Sequence, residues 1–345
     1  VVAIVPSFEP DSLGVRWDLL GRVYLFGNDK GGVGKSTIAA NAAGQAAQSG
    51  LRTLAVDLNA QGNMALDFGV SRNPEVNDNG KGLLHALTLD VPLNPVRGVR
   101  ENLDFIPGGR YVRRIQAHLQ PMMVDDEGIR EAVTSLARAL SGIAENYDLI
   151  ILDSPPENEL LLQLVLCAAR FVVVPMKTDE ASRIGLRALA RVLERMRHVN
   201  PCLVLLGVVV FASSTNATNL RASLRDGVED DLKGSAVPFF ESFVRYAEAV
   251  GAAARKYGAL AHELEAMLIE GTKPVAAGGY KLDWQYKAEE AERMKEENPE
   301  QALKKVPVVP GTAKRVAGDI EAVLQEMFSE AKQKRKQLKQ EGLWV

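Results

Sequence analysis

The chain has very little cysteine. Cys167 and Cys202 are the only two in 345 residues; they stand far apart, each in an apolar run. That excludes a disulfide framework and a cysteine-rich metal site, and predicts two buried thiols suited to a reducing cytoplasm. Histidine is scarce too, and His85, His118, His198 and His262 show no metal-ligand spacing. Long apolar runs are missing. Leu160–Met176 is interrupted by Gln163 and Arg170, too short and too broken to span a bilayer. The opening VVAIVPSFEPDSLG has no basic segment and no small-residue cleavage site, so no secretory leader is expected there. Neither charge dominates. With 41 basic and 44 acidic side chains the formal net charge is −3, so contact with a polyanion must come from a local patch.

What is present is a core-forming chain, 46% hydrophobic and 25% charged. From about Gly21 to Val210 short β-rich runs (RVYLFGN, RTLAVDL, NLDFIP, DLIILDS, FVVVPM, LVLLGVVVF) alternate with stretches of helical period. Strands that are apolar throughout are buried on both faces. The pattern predicts an α/β fold: a mostly parallel, doubly wound sheet flanked by helices, with ligands at the carboxyl ends of its strands. Beyond Val210, NLRASLRDGVEDDL reads as a helix, SAVPFF as a strand or loop, and SFVRYAEAVGAAARKYG as a loop entering a helix. The expected organisation is an N-terminal extension at 1–20, a main domain at 21–258, a charged helical insertion or appendage at 259–306, and a terminal helix with a basic tail at 307–345.

The strand VYLFGN, the loop DKGGVGKST and an alanine-rich helix follow one another directly. Gly31, Gly32 and Gly34, with Val33 between them, let backbone N–H groups turn inward around a phosphate, and the helix points its positive end at the same place. Lys35 would meet the β- and γ-phosphates, Ser36 would ligate Mg²⁺, and Thr37 continues the cradle. The motif therefore predicts a P-loop NTPase fold that takes ATP and Mg²⁺.

Where the usual loop begins with glycine this one has Asp29, followed by Lys30. NDKGGVGKST resembles the deviant Walker A motif of the ParA/MinD family of ATPases. The resemblance implies that Lys30 reaches across an ATP-sandwich homodimer to the nucleotide held by the other copy, as an arginine finger would. Asp153, ending YDLIILDSPP, resembles the family's Walker B aspartate, which holds magnesium. VDLNAQGN resembles its switch I, DxDPQGN. Asp57, a further candidate near the metal, matches, but Asn59 replaces the aspartate that positions or activates water. An amide cannot accept a proton at neutral pH, so slow hydrolysis is expected. Natural divergence, an engineered change and a rerouted base such as Asp67 all remain open. VPFFESFVRYAEA resembles the adenine-seating loop, with Pro238 as a candidate base contact.

Resemblance to the ParA branch implies nonspecific DNA binding by the ATP dimer, stimulation by a ParB-type centromere-binding partner, and a cytoplasmic, nucleoid-associated protein of plasmid or chromosome partition. Arg221, Arg245, Arg255 and Lys256 are the candidate DNA contacts, with the basic tail beside them. Two alternatives stand: an ATP-locked DNA-binding scaffold with little hydrolysis, and a MinD-like membrane-associated ATPase, for which the short apolar end of the tail is poorly suited.

Overall fold

The computed structural model describes residues 11–156, 158–213, 218–231, 237–297, 309–342 and 344. The expected segments 1–20, 259–306 and 307–345 thus lie partly outside the described residues.

The apolar runs form β1 (Val23–Phe26), β2 (Thr53–Asp57), β4 (Leu103–Ile106), β5 (Leu149–Asp153), β6 (Phe171–Met176) and β7 (Val204–Ser213). Two strands differ from expectation. β3 (Val96–Arg100) was hidden because VRGVR is polar and carries a glycine; it is an edge strand, joined to β4 by a tight turn with Asn102 at φ 57°. β8 (Phe239–Arg245) runs on through FVR, where a loop was expected, because Asp319 bonds the Arg245 amide and guanidinium. Among the described residues the sheet has eight strands in the order β3-β4-β2-β5-β1-β6-β7-β8. Only β3 is antiparallel to its neighbour.

The helices are α1 (Lys35–Gln48), α2 (Asn63–Asp67), α3 (Lys81–Leu89), α4 (Val112–Leu119), α5 (Asp126–Ser141), α6 (Glu159–Ala168), α7 (Glu180–Met196), α8 (Thr218–Asp231), α9 (Glu248–Tyr257), α10 (Ala261–Glu270), α11 (Asp283–Glu297) and α12 (Ala313–Gln340). Alternate strand residues feed two cores. Val23, Leu25, Leu54 and Val56 face α3 to α8, while Tyr24, Phe26 and Ala55 face α1, α2, α9, α10 and α12. Both cysteines are buried. Side chains of Asp125, Asn158 and Asp179 cap α5, α6 and α7, which starts those helices where the chain leaves the sheet's carboxyl edge or a preceding turn.

The charged segment after α9 is tied to the main body. Asp283, at the start of α11, is buried and accepts from Ser71 N, Ser71 Oγ and Arg72 N at 3.2, 2.6 and 2.9 Å. Arg100 pairs with Glu263 of α10 and donates to the carbonyls of Phe68 and Gly258. These contacts set α10 and α11 directly behind α2 and its following loop.

Candidate functional site

The central strands β1, β2 and β5 end side by side, and their loops build the site. Gly34, the N-cap of α1, has φ 87°, and a Cβ there would lie 2.6 Å from the Phe211 ring, so both conformation and space require glycine. Asn28 is fully buried; its side chain donates to Pro175 O at 2.8 Å and accepts from Lys30 N at 3.0 Å. Gly185 of α7 lets that helix close on the loop, for a Cβ would meet Asn28 Oδ1 at 2.5 Å.

The two lysines point differently. Lys35 is buried and donates to Lys30 O at 2.6 Å, so its ammonium is folded into the loop where the phosphates would sit. Lys30 stands at the rim with its Nζ 2.8 Å from Asp179 Oδ1.

Ser36 Oγ donates to Asp153 Oδ2 at 2.5 Å, bringing the two predicted magnesium residues together. The other Asp153 oxygen, Oδ1, is buried without a hydrogen-bond partner among the described residues. Burial pushes Asp153 up to about 7, against the Ser36 hydrogen bond and the charge of Lys35. Asp57 is raised well above the usual carboxylate range, by burial first and by Asp153 next. A buried, unsatisfied oxygen between raised carboxyls fits a divalent cation. Among the described residues no group of three or more His, Cys, Asp or Glu could hold a metal. A cation here would therefore draw most of its ligands from phosphate and water, as magnesium does. Asp57 spends both oxygens on switch I: Oδ1 accepts from Asn59 N at 2.8 Å, Oδ2 from Met64 N at 3.2 Å.

Asn59 is also buried. Its Oδ1 accepts from Gln61 N at 2.9 Å, and its carbonyl accepts from Gly62 N and Gly109 N, each at 3.0 Å. It lines a cleft of about 360 Å³ with Gly31, Gly32, Gly34, Lys35, Ser36 and Thr37. Gln61, Asp67 and Arg255 border the same cleft. Burial raises Asp67 to about 7, with the Arg255 charge opposing. Val33 is buried beneath the loop.

A second cleft of about 390 Å³, with Ile38, Val244, Tyr246 and Val250 in its walls, shares Thr37, Phe211 and Arg255 with the first. The two form a polar compartment opening into a more apolar one, the shape a nucleotide needs. Pro238 belongs to neither. It precedes β8 at the strand's amino end, where its carbonyl accepts from Val208 N. Sequence reasoning missed Phe211 because that position lay in an apolar strand and carries no motif.

Of the candidate DNA residues, Arg245 and Arg221 are engaged by other side chains of the chain. Arg245 is paired with Asp319 at 2.6 Å. Arg221 stacks on Phe243, 4.1 Å from the ring centroid, and donates to Ser213 Oγ. Arg255 borders both clefts, and Lys256 is exposed at the end of α9.

A parallel sheet with a lysine-bearing glycine loop, a buried Ser–Asp pair and a two-part cleft defines a P-loop nucleotide-binding protein. Comparison narrows the class. Residues 21–204, more than half the chain, match the family model described as an AAA domain. The chain is 35% identical over 194 residues to the chromosome-partitioning ATPase Soj of Thermus thermophilus, covering 55% of this chain and 68% of that one. It is 30% identical over 222 residues to the chromosome partitioning protein ParA of Myxococcus xanthus, covering 63% and 72%. Among solved structures, cobyrinic acid a,c-diamide synthase of Mycobacterium smegmatis with bound ADP and magnesium superposes with a TM-score of 0.55 over 74% of this chain and 98% of that one; at 24% identity it speaks for the fold alone. The chain belongs to the ParA/Soj family of P-loop ATPases.

Proposed function

We propose that two copies of this chain close face to face on ATP, each P-loop cradling one triphosphate while Lys30 of each copy reaches the nucleotide held by the other. The closed pair binds DNA without sequence preference, and a ParB-type partner stimulates hydrolysis and release. The chain thereby acts in plasmid or chromosome partition, in the cytoplasm and on the nucleoid. One observation carries this reading. Lys35 is buried in its own loop, whereas Lys30, five residues earlier, is held at the open rim of the same loop. A single nucleotide needs one such lysine; the second is placed for a neighbour.

Ser36 and Asp153 are the residues that would hold magnesium, which when bound screens the β- and γ-phosphate charge during transfer. Gln61 and Asn59 then shape the water's side of the cleft, and Phe211 and Val250 the base's side. The test is light scattering of the full chain with ATP, ADP or no nucleotide. Pairing in ATP that Lys30→Ala abolishes supports the reading; a chain that stays single in saturating ATP ends it.

A second reading, the ATP-locked scaffold with little turnover, is favoured by Asn59, whose side-chain oxygen is already engaged by Gln61 N. Phosphate release measured with and without DNA and a partner separates the two. The membrane reading has less support. Trp344, in the apolar end of the tail, already stacks against the guanidiniums of Arg170 and Arg335.

A further inference from the structure

Several arginines of this protein are neutralised in place. Arg183 and Arg187 pair with Asp231, Arg195 with Glu159, Arg225 with Glu241 and Arg245 with Asp319. The turn into α4 is different. From Ile106 to Val124 the chain carries no aspartate or glutamate, yet it holds Arg110, Arg113 and Arg114. All three are exposed, and their guanidiniums make no hydrogen bond or ion pair among the described residues. Arg110 and Arg114 instead flank the ring of Tyr111, 5.2 and 5.1 Å from its centroid. Arg113 and Arg114 stand in the first turn of α4, and Arg110 just precedes its cap residue Tyr111. Stacking on tyrosine holds two of the planar forks outward with their N–H edges unspent.

We infer that Arg110, Arg113 and Arg114 form a binding surface for the phosphodiester backbone of nucleic acid, distinct from the Arg221–Arg245 region and read without base contacts. This deepens the partition reading and rests on it. The chemistry favours a polyanion over a protein: the exposed residues between Arg110 and His118 include no large apolar side chain to anchor a protein interface. Unpaired arginines beside an aromatic ring suit phosphate oxygens.

The surface is also wired to the nucleotide site. Gly109 N, immediately before Arg110, donates to the carbonyl of Asn59 in switch I. Tyr111 N donates to Asn79 O. At the other end of the helix, Gln116 Oε1 accepts from Asn158 Nδ2 at 2.8 Å, and Asn158 is the cap of α6 that follows Asp153. A rearrangement of switch I or of the turn after Asp153 on nucleotide binding therefore moves the arginine face, which makes DNA affinity depend on the bound nucleotide.

The experiment titrates labelled random-sequence duplex with the ATP-loaded full chain over a range of salt, for wild type, the triple variant R110A/R113A/R114A and the triple lysine variant R110K/R113K/R114K. The alanine variant is expected to bind on the order of tenfold or more weakly, with a slope of log K against log salt shallower by about two to three. The lysine variant should recover the slope, because charge rather than shape sets counterion release. Wild-type binding that the alanine variant matches in affinity and slope overturns this inference and leaves the partition reading intact. No duplex binding by wild type in any nucleotide state overturns both. An alanine variant that no longer pairs in ATP shows that the face meets a second copy, which also overturns the inference.

Discussion

Lys30 Nζ lies 2.8 Å from Asp179 Oδ1, although 149 positions separate the two residues in the chain. The same Asp179 oxygen caps α7 by accepting from Ser182 N at 2.7 Å. The rim lysine is thus held against the start of a helix, beside the loop to which it belongs. An ion pair this exposed is worth only about 0.2 to 1 kcal/mol, so it can hold the lysine in place without preventing its transfer. Asp179→Asn keeps a capping oxygen and removes the charge. It should tighten ATP-driven pairing by no more than about fivefold, measured by sedimentation. A larger change, or loss of pairing, would show that Asp179 does more than park the lysine.

Asn59→Asp should raise phosphate release while leaving ATP affinity nearly unchanged. Aspartate can make the same turn with Gln61 N, so the switch keeps its shape, and it adds an acceptor able to take a proton. A gain of at least about tenfold is expected, read by steady-state phosphate release beside a nucleotide titration. An unchanged rate would mean that the carboxylate's duty is carried elsewhere, with Asp67 the neighbour to replace next.

The apo chain should lose stability as pH rises toward neutrality. Asp57, Asp67 and Asp153 all have folded-state values above their ordinary range because burial disfavours their charged forms. A carboxyl raised in this way binds its proton more tightly when folded. Its contribution is full below the unfolded value and disappears as pH climbs through the folded one, about 7 for Asp67 and Asp153. Thermal melts at about pH 5.5 should therefore exceed those at about pH 8. Asp67→Asn should shrink the difference, and saturating Mg²⁺ with ATP should shrink it further. A flat profile in the apo wild type would count against the burial argument.

Asp283→Ala should lower stability by about 1 to 3 kcal/mol, because it strands three part-buried donors of Ser71 and Arg72 on the loop behind α2. Denaturant midpoints measure that loss. Nucleotide affinity should fall with it, since the same loop directly follows Asp67, which borders the cleft. Retained affinity with reduced stability would show that α11 braces the fold without steadying the site.

Much of this was legible in the sequence for a plain reason. The P-loop is one contiguous segment, and each strand entering the site announces itself by a local run of apolar residues. Lys30, Lys35, Ser36, Asp57, Asn59 and Asp153 could be named because chemistry and spacing coincide within a few positions. β3 escaped because an edge strand need not be apolar on both faces. Phe211 escaped because a strand aromatic looks like core until the glycine it touches is known.

By itself the sequence determined the phosphate cradle, the parallel strands that carry it and the odd amide in switch I, all through interactions between near neighbours. Only the tertiary structure decided which charges were already spent. Arg245 meets Asp319 across 74 residues, whereas Arg110, Arg113 and Arg114 meet no carboxylate among the described residues. Pairing across such separations depends on how helices pack on a sheet, and no local pattern encodes it.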